Sequence, residues 1–466
     1  MAEPLVEQHE TWWTRPCGGR EVLQLALPLI ISTGSWSLMM FVDRMFLFWY
    51  SADAMAAAMP AAMLHWSAIS FPVGLASYVN TFVAQYYGAK QYDRIGLILG
   101  QGTCFALMMI PIFLVLIPLS PYIFSISDQP ASLVPLQTRY LQILLTGSGA
   151  VVLASVQSSF FTGRGLTRVV MMVDIFANLL NCGLDYIWVF GLCGFPEGGI
   201  DGAAWATIVA EWSKVVIFSW LMYREPDREK YGLQNMFRFD EKLMMRLCNF
   251  GGPSGLQFFI DGCAFTVLVF CISSIGKTEA AATTLAFTIN SVAFVPMIGI
   301  HIAVSTLVGQ QLGNHRPDLA ARATWTAFGL AMLYTSVFAI AYAFFPHVFL
   351  LIHETGARED EFTAIQPVTI YLMRFVAIYC LFDAMHLIFV GAIKGAGDTF
   401  FVLVTTIATS LIAVSIGSIG QSRVADPLTW WWIVATGWIC SLGLIYILRF
   451  IQGRWRTMSV IEQTVT

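Results

Sequence analysis

The sequence predicts an all-α integral membrane protein, with about 12 transmembrane helices in two parallel, pseudo-symmetric six-helix lobes around a central cavity. The first observation is compositional. The 466 residues are 57% hydrophobic and 12% charged, with a mean hydropathy of +0.69, against about 25% charged in soluble domains. The second is that apolar runs long enough to cross a bilayer, about 20 residues each, recur from end to end. The third is an internal repeat. Thr81-Phe-Val-Ala-Gln85-Tyr-Tyr-Gly88 returns as Thr306-Leu-Val-Gly-Gln310-Gln-Leu-Gly313, and the same offset of 225 pairs Pro28 with Pro253, Gly74 with Gly299 and Asp93 with Asp318. A second match, at an offset of 232, sets Gly163-Arg-Gly165-Leu-Thr167 against Gly395-Ala-Gly397-Asp-Thr399. Long repeats in an apolar chain are the mark of a transporter built from two related halves.

The spans follow in order. Six are expected near 23–48, 54–85, 96–120, 133–161, 168–192 and 200–223, and six more near 244–274, 278–311, 320–352, 363–392, 400–419 and 427–451. The charged stretch 224–242 separates them. This divides the chain into an N-terminal segment (1–20), an N-lobe (21–223), a linker (224–242), a C-lobe (243–453) and a tail (454–466).

Basic residues orient the spans, because cytoplasmic loops are enriched in Lys and Arg. Eighteen lie on one side, among them Arg15, Lys90, Arg164, the central group Arg224 to Arg246, Arg316, Lys394 and Arg454. Three, Lys277, Arg358 and Arg423, lie on the other, and Arg44, Arg139, Lys214 and Arg374 fall within or near spans. Both termini and the linker are therefore expected in the cytoplasm, in a multi-pass protein of the cytoplasmic (inner) membrane. Six spans per half is an even number, so both halves enter with the same polarity and the repeat is parallel.

Other classes are disfavoured. A net charge of −4 speaks against nucleic acid as a partner. Nine scattered cysteines without a C-x-x-C pair indicate neither a zinc site nor a disulfide framework. No cleavable signal peptide is expected from the polar first 20 residues. No metalloprotease, serine-hydrolase or P-loop motif is present.

Ionisable residues inside spans are costly and usually functional. Asp43 lies near the outer end of the first span. Asp174, Asn178, Asn181 and Asp185, spaced 4, 3 and 4, share one face of the fifth. Asp261 lies in the seventh, and Asp383 and His386 share a face of the tenth. Glu211 and Lys214 read as an internal ion pair, and His65, His301 and His386 as packed, hydrogen-bonded side chains. Asn178 and Asn181 read equally well as interhelical hydrogen-bonding groups, and Asp174 as an interfacial one. A desolvated carboxylate can exchange a proton, bind Na⁺ or face a cationic solute. The repeat singles out three of the acids: Asp43 corresponds to Leu268, Asp261 to Trp36 and Asp383 to Val151, so the duplication copies none of them.

The chain resembles the multidrug and toxic compound extrusion (MATE) transporters over nearly its full length. The matching residues are Ala-Leu-Pro28 and Val-Asp43, Val-Ala-Gln85-x-x-Gly88, Gly163-x-Gly165-x-Thr167, Leu-Leu-Asn181-x-x-Leu-Asp185 and Gly202-Ala-Ala-x-Ala-Thr207. In the second half they are Gly251-Gly-Pro253, Val-Gly309-Gln310-x-x-Gly313 and Gly391-x-x-Lys394-Gly395-x-Gly397-Asp-Thr399. The resemblance implies a V-shaped pair of lobes that exports small organic cations in exchange for H⁺ or Na⁺. It places the coupling site at Asp43, Asn181, Asp185 and Thr207, whose oxygens also suit Na⁺. It offers Asp261 and Asp383 as a substrate or second ion site. Asp261 stands where Glu is frequent, and Arg44 where a small polar residue is common. The expected partners are organic solutes and membrane lipids, the expected state a monomer, and no cofactor is called for beyond the coupling ion. The alternatives are a flippase for a lipid-linked precursor and, from another class, a membrane-embedded enzyme. Embedded acids outnumber embedded bases, which favours cations.

Overall fold

The computed structural model describes residues 11–126, 132–354 and 359–462. Arg358, the first half of the N-terminal segment and the end of the tail lie outside these residues. The described chain is helical, with no strand: α1 (Gly19–Tyr50), α2 (Ala52–Ser77), α3 (Val79–Gly88), α4 (Asp93–Ile126), α5 (Val134–Thr162), α6 (Thr167–Phe190) and α7 (Gly199–Tyr223), then α8 (Glu241–Ser273), α9 (Lys277–Gly313), α10 (Pro317–Phe344), α11 (Pro346–Glu354), α12 (Glu359–Ala396), α13 (Thr399–Gln421) and α14 (Pro427–Gln452).

Two expected spans are interrupted. The one near 54–85 is divided between α2 and α3 at Tyr78, whose hydroxyl donates to the Lys394 carbonyl at 2.8 Å. The one near 320–352 stops at Phe345 and restarts as α11 at Pro346, which supplies no N–H to continue the ladder. Among the described residues, eleven helices are long and apolar enough to cross a membrane, α2 and α3 being taken as one. The twelfth, α7, has 25 residues but carries Asp201, Glu211 and Lys214. Local chemistry sets several ends. Asp240 and Asp426 cap α8 and α14 by accepting the backbone N–H groups of Leu243 and Thr429, and Gly191 and Gly453 close α6 and α14 in left-handed conformations.

The repeat is visible in the packing. α1 packs on α6 and α8 on α13; α4 on α5 and α10 on α12; α5 on α7 and α12 on α14. Across the lobes, α1 packs on α9 and α8 on α2. Lys90 and His315, 225 apart, even share the same left-handed turn, with φ of 59° and 56°.

The cores show where the lobes join. At the end where the basic residues gather, the first helix of each repeat is buried in the other lobe. Val22, Leu25 and Leu29 of α1 pack with residues of α9, α10, α12 and α14, while Leu243 and Leu247 of α8 pack with α2 to α6. At the other end each lobe keeps its own core, one around Leu47, Tyr140 and Val189, the other around Leu268, Tyr342 and Trp432. Lobes fused at one end and separate at the other form a V.

The joined end is sealed by a crossed pair of hydrogen bonds. Gln85 Nε2 donates to the Gly395 carbonyl at 3.0 Å, and Gln310 Nε2 donates to the Gly163 carbonyl at 2.8 Å. Each repeated glutamine therefore holds the glycine turn of the opposite half. The backbones touch: a Cβ on Gly88 would meet the Gln310 carbonyl oxygen at 1.9 Å, and one on Gly313 the Gln85 carbonyl oxygen at 2.1 Å. Small residues allow such approach.

The linker and the start of the tail are docked on the helices. The linker packs on α4, where Tyr231 O accepts from Gly96 N at 2.8 Å and the Gln101 amide bonds Arg238 and Asp240. The start of the tail enters the seal. Val460 is buried, its N–H donates to Gln85 Oε1 at 2.9 Å, and its carbonyl accepts from Arg246 Nε at 2.6 Å. Buried apolar area and satisfied backbone groups, rather than sequence polarity, hold both segments.

Gly88→Ala should wedge the seal apart, because the obstructing atom is backbone and cannot rotate away. With spin labels at Gln91 and Asn314, the distance distribution should lengthen and broaden. An unchanged distribution would show that the seal tolerates a methyl group.

Candidate functional site

The polar face of α6 finds a partner at every position. Ser32 donates to the Asp174 carboxylate, and Asn178 Nδ2 donates to Ser35 Oγ at 2.8 Å, so two successive turns stitch α6 to α1. Further along, Asn181 and Asp185 are fully buried. In the orientation that satisfies both ends of its amide, Asn181 donates to Asp185 Oδ2 at 3.1 Å and accepts the Thr207 N–H at 3.2 Å. Asp43, on α1 and 7% exposed, faces Asp185 within hydrogen-bonding reach. The four residues named by the resemblance thus meet in one place, between α1, α6 and α7.

One oxygen of each acid, Asp43 Oδ1 and Asp185 Oδ1, has no donor from the protein. Two facing carboxylates without donors repel, and a proton or a cation between them removes the repulsion. Arg44 is exposed and makes no ion pair with either acid. Glu211 and Lys214 pair at 2.6 Å on α7. The histidines are held by hydrogen bonds, His65 Nε2 with Ser148 Oγ at 2.9 Å and His301 Nδ1 with the Leu387 carbonyl at 2.8 Å.

In the other lobe Asp383 Oδ1 lies 3.6 Å from His386 Nδ1, and the His386 ring stacks on Tyr446 with centroids 5.4 Å apart. Asp261 accepts from Gln257 Nε2, and Gln257 Oε1 accepts from Lys394 Nζ at 3.0 Å. Lys394, counted above among the basic residues of the cytoplasmic side, therefore turns inward along α12. Its charge is linked to Asp261 through one amide. The structure does not join this group to Asp43 and Asp185; each lobe has its own.

Sequence reasoning missed Ser32, Ser35 and Gln257. The signals were present: Ser32 and Ser35 repeat the one-turn spacing of Asp174 and Asn178, and Gln257 precedes Asp261 by four residues. The cavity expected between the lobes is present, with a volume of about 240 Å³ that reaches from α1, α5 and α6 to α8, α9 and Lys394; its lining was not read from the sequence.

Two parallel repeats around a cleft, with carboxylates inside the spans of each lobe, define a membrane transporter. The MatE family model matches residues 28–187 and 253–419, once per half, and the chain belongs to the MATE family. The multidrug resistance protein NorM of Aliivibrio fischeri is 27% identical over 379 residues, covering 81% of each chain. The probable multidrug resistance protein NorM of Thermotoga maritima is 24% identical over 449 residues, covering 95% of this chain and 94% of its own. Among solved structures, an outward-facing multidrug resistance MATE transporter of the MOP superfamily superposes with a TM-score of 0.85 at 17% identity, over 97% of this chain and all of that one. A MOP-superfamily transporter from Pyrococcus furiosus gives a TM-score of 0.84 at 18% identity, over 94% of this chain and 97% of that one.

Replacing Asn181 by Leu strands Asp185 Oδ2, a buried carboxylate oxygen, at a cost of about 1–3 kcal/mol. Asn178→Ala loses a single α1–α6 hydrogen bond and costs about 1 kcal/mol. Thermal unfolding of the purified variants should rank Asn181→Leu clearly below Asn178→Ala; the reverse order would show that the amide does not bridge α6 and α7.

Proposed function

We propose that this protein is a secondary antiporter that exports small organic cations by alternating access, driven by H⁺ or Na⁺ moving inward. The observation that carries the reading is the buried pair Asp43–Asp185, completed by Asn181 and Thr207 and short of donors. A proton or Na⁺ entering the pair removes one of its two negative charges, and with it the repulsion, and lets α1 and α6 pack differently. Ion occupancy then biases one lobe arrangement over the other. Because α1 is anchored in the opposite lobe at its other end, a shift at Asp43 reaches the seal directly.

With the basic end taken as cytoplasmic, the seal closes that side and the cleft opens outward, the state from which an exporter releases its load and takes up its ion. Relatives named for multidrug resistance support organic solutes as the cargo. The embedded acids Asp43, Asp174, Asp185, Glu211, Asp261 and Asp383 outnumber the bases Arg44, Lys214, Arg374 and Lys394 in the same spans, which supports cations over an anionic lipid headgroup.

The test is uptake or release of a fluorescent organic cation by proteoliposomes under pH and Na⁺ gradients imposed separately. Transport should follow one gradient, and Asp43→Asn and Asp185→Asn should each reduce coupled transport at least tenfold while the protein still purifies as a monodisperse species. Transport by both variants at the unsubstituted rate would remove the ion from this site; no transport under either gradient would end the antiport reading.

A further inference from the structure

The cavity at the base of the cleft has the wrong lining for a lipophilic drug. Adaptable multidrug sites are mostly apolar and aromatic. Here ten serine and threonine side chains face the space, and Tyr78 is its single aromatic among the described lining residues. Phe and Trp are plentiful in the chain, at 35 and 15, yet none lines this volume.

The charges are arranged across it. Asp174, from α6 in the N-lobe, is its one acid; Lys394, from α12 in the C-lobe, is its one Lys or Arg. Both are half-buried rather than shut away. Each is also held in place from behind, Asp174 by the Ser32 hydroxyl and Lys394 by Gln257. They do not pair with one another. Several hydroxyls, such as Ser155 and Ser159, donate to carbonyls of their own helix, at 2.9 and 2.8 Å. That leaves oxygen lone pairs free to accept from a ligand N–H. The volume of about 240 Å³ has room for about eight waters or one small solute.

We infer that this cavity binds a small hydrophilic zwitterion, its ammonium on Asp174 and its carboxylate on Lys394. The proposal rests on the alternating-access reading and narrows it: such a ligand bridges the two lobes at the sealed end, and its departure would release a contact between them. A solute with a single charge would meet one wall only and leave the other to its existing neighbours, Lys214 near Asp174 and Gln257 on Lys394. A charge-assisted hydrogen bond at the second wall supplies about a tenfold preference for the doubly charged ligand.

Calorimetric titration of the detergent-purified full chain tests this without any ion gradient. The probes are β-alanine, γ-aminobutyrate and ε-aminocaproate, which differ in charge separation, with butylamine and butanoate as single-charge controls. At least one zwitterion should bind about tenfold more tightly than either control. Asp174→Asn, which keeps an acceptor for Ser32, should abolish that advantage and leave butanoate binding unchanged. Lys394→Gln should abolish it and leave butylamine binding unchanged; if that variant does not purify, Asp174→Asn alone decides. The proposal is overturned if no zwitterion outbinds the controls, or if Asp174→Asn leaves the preference intact. Organic-cation transport without zwitterion binding would overturn this inference alone, whereas zwitterion binding without gradient-driven transport would overturn only the antiport reading.

Discussion

The crossed hydrogen bonds of Gln85 and Gln310 are the constraint on which the rest of the molecule depends. Each glutamine reaches over the pseudo-twofold axis to a glycine carbonyl of the other half. Neither bond is worth more than about 1 kcal/mol by itself. Their effect lies in where they bring the backbones, close enough that Gly88 and Gly313 have no room for a methyl group. Closure at that end commits α1 and α8 to the opposite lobes, and that commitment leaves the far ends apart. The V shape, the cavity at its base and the link from Asp43 to the seal all follow.

The frame is symmetric and its chemistry is not. In the N-lobe two carboxylates face one another, each with one oxygen that has no donor. In the C-lobe Asp261 is linked to a positive charge, Lys394, through Gln257. The seal itself is asymmetric as well. The buried tail satisfies Gln85 Oε1 through Val460, tying the last described residues of the C-lobe side into the core of the other lobe. The two copies of one frame therefore carry different charges.

Much of this was legible in the chain. The duplication, the spans and the even count of helices per half came from hydropathy and offsets, because a membrane leaves a helix few ways to hide its backbone. The α6 stripe at 174, 178, 181 and 185 was readable because helical spacing is local. Asn181 and Asp185 belong to that stripe and Asp43 stood out as an acid within a span; grouping them with Thr207 as an expected coupling site came from the family resemblance, and their meeting needed three helices to pack. The partner of Lys394 was not legible, because a long side chain at a helix end points wherever its neighbours give it a partner, here Gln257 of the helix that opens the second half.

The sequence by itself determined the membrane-spanning class, the parallel repeat and the identity of the acids that the duplication did not copy. These depend on composition and periodicity, which the chain carries in one dimension. Tertiary structure alone decided which half each motif serves, since Gln85 and Gln310 bond across the axis and not within their own repeats. It alone made the tail part of the core, and set Asp174 and Lys394 on opposite walls of one hydrophilic cavity. Those outcomes are distances between residues far apart in sequence, and they exist only once two lobes are packed against each other.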